Sequence, residues 1–322
     1  MIGSHEVIVQ NRRVQYKFTI YRNITILQGD SATGKTTLIE MIAAHQTNGD
    51  ASGVSIKCDA RCVVLPILNW KLILEATHNS IVFIDEGDAF IASDEFAMAV
   101  KNSDNYFVIA TRRALPALPY SITEIYGIKN TGGNRYQGTK RIYSGFFPLY
   151  QIENAPHAKP DLVVVEDSNS GYEFFKHVSE ESGIECISAH GKSNIYKAVT
   201  ARPANQNILI IADGAAFGAE INRLTVLMKQ RRNITVCLPE SFEWLILKSN
   251  IIVSANIRDI LKYPSNYIES REYFSWERFF THLLTEETQS TYLRYNKQHL
   301  NEVYLHDTNK SKILATIPHI FT

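Results

Sequence analysis

The 322-residue chain has little of what marks secreted, membrane-bound or polybasic proteins. Its only cysteines are Cys58, Cys62, Cys186 and Cys237, too few for a disulfide framework. Cys58 and Cys62 have a loose metal-like spacing, whereas Cys186 and Cys237 fall in β-type apolar runs. Buried, inert thiols are the expectation for the set. No apolar run approaches the roughly 18–20 residues that span a bilayer, and residues 1–6 lack the basic and apolar regions of a signal peptide. Charge of one sign is also missing: Lys plus Arg is 33 and Asp plus Glu is 33. The balance holds locally, with 15 basic and 14 acidic residues before residue 157 and 18 and 19 after it. A histone-like or membrane-surface protein is thereby excluded, while a local nucleic-acid groove stays open. What the chain does have is core material, at 45% hydrophobic and 20% charged residues. A globular, cytoplasmic protein of two ordinary domains, with no membrane partner, is expected.

Strand-like and helix-like segments alternate along the chain. Residues 7–20 read as a strand pair with Asn11-Arg12-Arg13 as the turn. Short apolar strands are expected at 23–28, 63–65, 81–84, 107–110 and 122–128, with helices at 35–44 and 70–76. Such alternation predicts a mainly parallel, covered sheet. The proline-containing stretch 153–160 then marks a boundary. A second alternation follows, with strands at 162–165, 185–188, 208–212 and 234–238 and helices at 172–179, 194–199 and 220–229. From Ser241 onward the chain is helical and aromatic, with Tyr273, Phe274, Trp276, Phe279 and Phe280 packing a helix. The domains expected are 1–156, 157–265 and a helical C-terminal extension, 266–322.

Gly29-Asp30-Ser31-Ala32-Thr33-Gly34-Lys35-Thr36 matches the pattern Gly-x-x-x-x-Gly-Lys-Ser/Thr in full, between an apolar strand and a helix that opens with Thr37. The spacing has a chemical reason. The glycines let the backbone curl so that successive N–H groups, aided by the helix N-terminus, face phosphate oxygens. Lys35 can reach the β/γ-phosphates of ATP, and Thr36 can offer its hydroxyl to Mg²⁺. Ile81-Val82-Phe83-Ile84-Asp85-Glu86 resembles the Walker B strand of P-loop ATPases. That resemblance gives Asp85 to the Mg²⁺ shell and Glu86 to the attacking water. In ABC-like and related ATPases the next strand ends near the γ-phosphate, which makes Thr111 and Arg112 candidate sensors. The Leu-Ser-Gly-Gly motif of the ABC class is absent between Gly34 and Asp85. His190-Gly191-Lys192-Ser193 is not a second phosphate loop, because Cys186 stands where its first glycine is required.

In the second half, Glu166 and Asp167 end the first strand, Gly191-Lys192-Ser193-Asn194 follows the second, and Asp213 ends the third. This order resembles the Toprim domain of topoisomerases, primases and the overcoming-lysogenization-defect (OLD) nucleases, which carries a Glu after strand one and Asp-x-Asp after strand three. ATPase followed by Toprim is also the OLD order. The resemblance implies a P-loop NTPase parallel sheet followed by a Rossmann-like, Toprim-like α/β domain. It further implies Glu166 and Asp213 as ligands of Mg²⁺ or Mn²⁺, action on DNA or RNA, and a setting in mobile-element or phage-defence biology. The second Asp of the pair is Ala215 here, with Asp167, Glu173 and Glu220 as candidate substitutes.

Three functions fit these residues. The first is an ATPase coupled to a degenerate or weakly active Toprim-like domain acting on nucleic acid. The second is a nucleotide-switched scaffold or sensor that recruits a protein partner. A small-molecule kinase is the third, although Arg112-Arg113 is a short substitute for a basic lid. Residues 229–232 and 135–141 are candidate phosphate-backbone contacts. A homodimer is expected, with Arg112 or Arg113 reaching across to complete the ATP site.

Overall fold

The computed structural model describes residues 1–29, 33–87, 89–131, 141–151 and 159–317. The chain is α/β and divides into two units. Met1–Gln151 and Tyr263–Phe274 form the first; Ile152–Lys262 and Ser275–Thr322 form the second. The stretch expected as a separate extension from residue 266 is therefore shared between the two units. Residues 263–274 are fastened to the first by hydrogen bonds to their backbone, Gly3 N donating to Ser265 O at 2.7 Å and the Asn23 side chain, through Nδ2, to Phe274 O at 3.1 Å.

In the first unit, β1 (His5–Gln10), β2 (Val14–Ile20) and β3 (Ile24–Leu27) lead to helix α1 (Lys35–Asn48). β4 (Ser55–Lys57), β5 (Arg61–Val64), α2 (Trp70–Glu75), β6 (Ser80–Ile84), α3 (Asp94–Lys101), β7 (Tyr106–Ala110), β8 (Ile125–Asn130) and β9 (Ile142–Pro148) follow. The expected hairpin turn forms because the Asn11 side chain accepts from Arg13 N and Val14 N, at 2.8 and 2.9 Å, the Asx geometry that asparagine favours. The sheet has nine strands in the order β4-β1-β2-β9-β8-β3-β7-β6-β5. It is mixed with parallel pairings in the majority: β1 runs antiparallel to β2 and β4, and β8 to β9, while the other five neighbouring pairs, β2-β9 included, are parallel. The block β8-β3-β7-β6-β5 is parallel throughout. Every residue of β3, β6 and β7 is buried, as expected for parallel strands covered on both faces.

The two edge strands, β4 and β5, are consecutive in sequence and joined by residues 58–60. The sheet therefore curls back on itself around α1. Leu38, Ile39, Met41 and Ile42 of that helix share one core with Val7, Val9 and Phe18 from one limb and Ile81, Phe83 and Val108 from the other. Burying four such side chains contributes on the order of 2 kcal/mol each.

In the second unit, β10 (Leu162–Val165), α4 (Ser170–Glu181), β11 (Glu185–Ser188), α5 (Lys192–Thr200), β12 (Ile208–Ile211), α6 (Gly218–Gln230) and β13 (Ile234–Cys237) alternate. They make a parallel sheet in the order β11-β10-β12-β13. Helices α7 (Phe242–Lys248), α8 (Ala255–Lys262), α9 (Trp276–Thr288) and α10 (Asp307–Leu314) complete the chain. All four expected strands form within a residue of their expected ends. All four cysteines are thiols without a disulfide. Among the described residues no helix is long and apolar enough to cross a membrane.

Candidate functional site

The registry of three parallel strands brings the candidate residues of the first unit to one edge. β7 lies between β3 and β6, with Leu27 opposite Ala110 and Ile84 opposite Ile109. Gly29, Asp85-Glu86 and Thr111-Arg112 therefore leave the sheet together at its carboxyl edge, where α/β proteins form their ligand crevice. Asp30, Ser31 and Ala32 lie outside the described residues.

Lys35 begins α1 and is 4% exposed. Its Nζ donates to Gly29 O at 2.6 Å and to Thr33 Oγ1 at 3.1 Å and stands 3.9 Å from Glu86 Oε2. The other oxygen of Glu86 pairs with Arg112 Nε, and Glu86 N donates to Asp85 Oδ1 at 2.7 Å. Lys35, Glu86 and Arg112 thus form one chain of charges at the start of α1. Thr36 and Thr37 are exposed beside it. Thr111 is buried, and its hydroxyl both donates to Arg113 O and accepts from Arg113 N, so it shapes the turn that carries Arg112.

The start of α1 suits an anion. Among the described residues the helix has no side-chain cap and no acid in its first turn, and the positive end of its dipole favours negative charge there. Gly34 sits at φ 92°, and an added Cβ would lie 2.8 Å from Tyr16 Oη. Only glycine fits there. Tyr16 is buried in β2 and donates to Gly34 O at 3.1 Å, bracing the loop from the antiparallel limb. A larger cleft, about 530 Å³, is lined by Trp70, Lys71, His78, Asp104 and Arg271. It lies toward the amino-terminal ends of β6 and β7, away from these residues.

In the second unit, Glu166 and Asp213 meet at the ends of the neighbouring strands β10 and β12, Asp213 N donating to Glu166 Oε2 at 3.0 Å. Asp167 lies beside them, accepting from Tyr172 N at 3.1 Å. A cavity of about 20 Å³, room for one water, is lined by these three acids and by Gly171, Pro239 and Phe242. Burial pushes Glu166 up to about 7, with the Glu277 and Asp167 charges adding to it, and pushes Asp167 up to about 6, with Glu243 adding. Asp213 is raised as well, first by burial and then by Glu277, Glu166 and Glu243. Ala215 is buried in the turn after Asp213. The turn closes on Leu238 and Pro239, where a Cβ on Gly214 would lie 2.6 Å from Leu238 O.

Of the candidate substitutes for the missing acid, only Asp167 joins this pocket. Glu173 accepts from Leu300 N at 2.6 Å and pairs with His299, and Glu220 pairs with Arg223. The acids that do approach, Glu243 on α7 and Glu277 on α9, escaped the sequence reading. Glu243 had a signal, an acid shortly beyond the end of the adjacent fourth strand. Glu277 had none, since only the tertiary fold brings α9 there. Lys297, also missed, donates to Glu277 Oε1 at 2.6 Å and lies 3.9 Å from Glu243 Oε1. Among the described residues no group of three or more His, Cys, Asp or Glu is arranged to hold a metal ion. As arranged, these acids do not fit a two-ion centre.

Of the candidate backbone contacts, Arg231 turns inward onto Val199 O, Arg202 O and Pro203 O. Arg141 donates to Gln10 Oε1 and Asn11 O, and residues 135–140 lie outside the described residues. Lys192 donates to Ala216 O at 2.7 Å, tying the start of α5 to the Asp213 turn. Compared with protein-family models and with curated proteins, the chain matches none.

Proposed function

We propose that the first unit binds ATP with Mg²⁺ and hydrolyses it at the carboxyl edge of β3, β7 and β6. The observation that carries this reading is the convergence of Lys35, Glu86 and Arg112 at the start of α1. Lys35 and the leading N–H groups of α1 would receive the β- and γ-phosphates. Thr36 and Asp85 would hold Mg²⁺, which when bound neutralises phosphate charge. Glu86 orients the attacking water, and Arg112 supplies charge beside the γ-phosphate. Lys35 and Arg112 both engage Glu86. Phosphate oxygens compete for the same two cations, so nucleotide binding releases the carboxylate for its work on water.

The second unit resembles a Toprim domain in its strand-end acids, and the β11-β10-β12-β13 parallel sheet supports that likeness. We read it as a degenerate Toprim-like domain that contacts nucleic acid, in a protein similar to a reduced OLD-type ATPase. Self-association would supply further donors to the γ-phosphate, with exposed Arg113 as the candidate trans contact. A second reading, a nucleotide-switched scaffold that recruits a protein partner, is favoured by the engagement of Glu86 in two ion pairs, which would hold hydrolysis slow.

Calorimetry of ATP and Mg²⁺ binding to the wild type and Lys35→Ala tests the reading. Loss of a charge-assisted phosphate contact weakens ATP by at least about tenfold; equal affinities would remove the assignment.

A further inference from the structure

Beside the acid pocket of the second unit stands Lys297, its side chain about a third exposed and its position set by backbone. Lys297 O accepts from Ser170 N at 3.0 Å, at the start of α4 and four residues after Glu166. From there the ammonium reaches Glu277 Oε1 at 2.6 Å and approaches Glu243 Oε1 to 3.9 Å. Glu243 is almost fully buried. It is held from the other side by Tyr295 Oη, which donates at 2.9 Å and is itself bonded to Ser170 Oγ at 2.6 Å. Ser170, Tyr295 and Lys297 thus hold Glu243 and Glu277 beside the pocket. The field of Lys297 also reaches Asp167, and that of Asp213 reaches Lys297.

We infer that Lys297 is the resident cation of this pocket, its ammonium standing in the role that the Toprim resemblance gives to a divalent ion. A divalent ion of the Mg²⁺ type gathers about six oxygen ligands. Here two of the five nearby carboxylates are committed to an ammonium, and one of those is further committed to a tyrosine. The ammonium screens the repulsion among the acids without a metal, and the second unit therefore neither takes a divalent ion at Glu166 and Asp213 nor cleaves nucleic acid there. This deepens the Toprim-like reading of the second unit and rests on it only for the comparison with a metal centre. It is independent of ATP hydrolysis in the first unit.

The test is Mn²⁺ titration of the nucleotide-free full chain, read from the electron paramagnetic resonance signal of unbound Mn²⁺. Wild type, Asp213→Asn, Lys297→Met and the double variant are compared, with circular dichroism confirming the fold. Wild type and Asp213→Asn should give the same curve up to about 1 mM Mn²⁺, the weak end of protein sites for hard divalent ions. Lys297→Met should gain one ion at least about tenfold more tightly bound, and Asp213→Asn should remove it. Mn²⁺ binding by the wild type that disappears in Asp213→Asn overturns the inference, as does a folded Lys297→Met that binds no more Mn²⁺ than the wild type. If Lys297→Met does not fold, the wild type and Asp213→Asn decide alone, because an Asp213-dependent ion overturns the inference and identical curves uphold it. Failure of the ATPase reading would appear instead as absent ATP binding, which this titration does not measure.

Discussion

Replacing Glu166 by glutamine should stabilise the second unit at neutral pH and flatten its pH dependence. Burial, with the Glu277 and Asp167 charges, raises this carboxyl from 4.5 to about 7, against the opposing pull of Lys192 and the hydrogen bond from Asp213 N. In the unfolded chain it ionises near 4.5. Between those values the folded state holds more protons than the unfolded one, so stability falls as pH rises. The full contribution is present below about pH 4.5 and is lost as pH passes through 7. A displacement of that size corresponds to about 3 kcal/mol. Glutamine has no charge to bury, and its side-chain oxygen can still accept from Asp213 N. Wild type and Glu166→Gln should therefore match near pH 4, where the glutamate is protonated. Near pH 8 the variant should be more stable by about 3 kcal/mol, or roughly 6–12 °C in the melting of a unit this size. Scanning calorimetry from pH 4 to 8 reads the difference directly. Parallel curves for the two proteins would refute the reasoning.

Arg112→Ala should change stability by less than about 1 kcal/mol, because the arginine is largely exposed, yet lower phosphate release by at least about tenfold. An unchanged rate in a phosphate-release assay would remove Arg112 from the site. Gly34→Ala should destabilise the first unit by about 1–3 kcal/mol through its positive φ and the close Tyr16 hydroxyl. Adding Tyr16→Phe should recover part of that loss, whereas a purely additive pair of effects in urea unfolding would show that the contact is unimportant.

The parallel strands were legible because each is a short apolar run bounded by turn residues. β3, β6, β7, β10 and β12 are buried along their whole length, and such strands announce themselves by composition. The strands that were missed are β4 and β9. Ser55–Lys57 is three residues long with two of them exposed, and Ile142–Pro148 mixes buried and exposed residues without a regular period. Only pairing with β1, and with β2 and β8, makes strands of them. Without them, two of the three antiparallel pairings, β1 with β4 and β8 with β9, had no signal in the sequence.

The candidate site shows the same division between local and distant signals. Lys35, Asp85 and Glu86 were visible because a phosphate loop and a strand-end acid pair are local patterns. The contact of Glu86 with both Lys35 and Arg112 was not, since it depends on β7 inserting between β3 and β6. In the second unit Glu166 and Asp213 were visible at strand ends. Glu243 had only the weak signal of an acid beyond the fourth strand, whereas Tyr295 and Lys297 come from a loop far along the chain, and no spacing rule connects them to β10.

The central claim, Mg²⁺-dependent hydrolysis of ATP by Glu86 beside Lys35, is tested most directly by phosphate release from Glu86→Gln with ATP affinity measured in parallel. Loss of the carboxylate that orients water should lower turnover by about a hundredfold or more while affinity stays within a few-fold, because the residue acts mainly in the transition state. Turnover equal to that of the wild type, or a loss of turnover wholly accounted for by lost ATP binding, would contradict it.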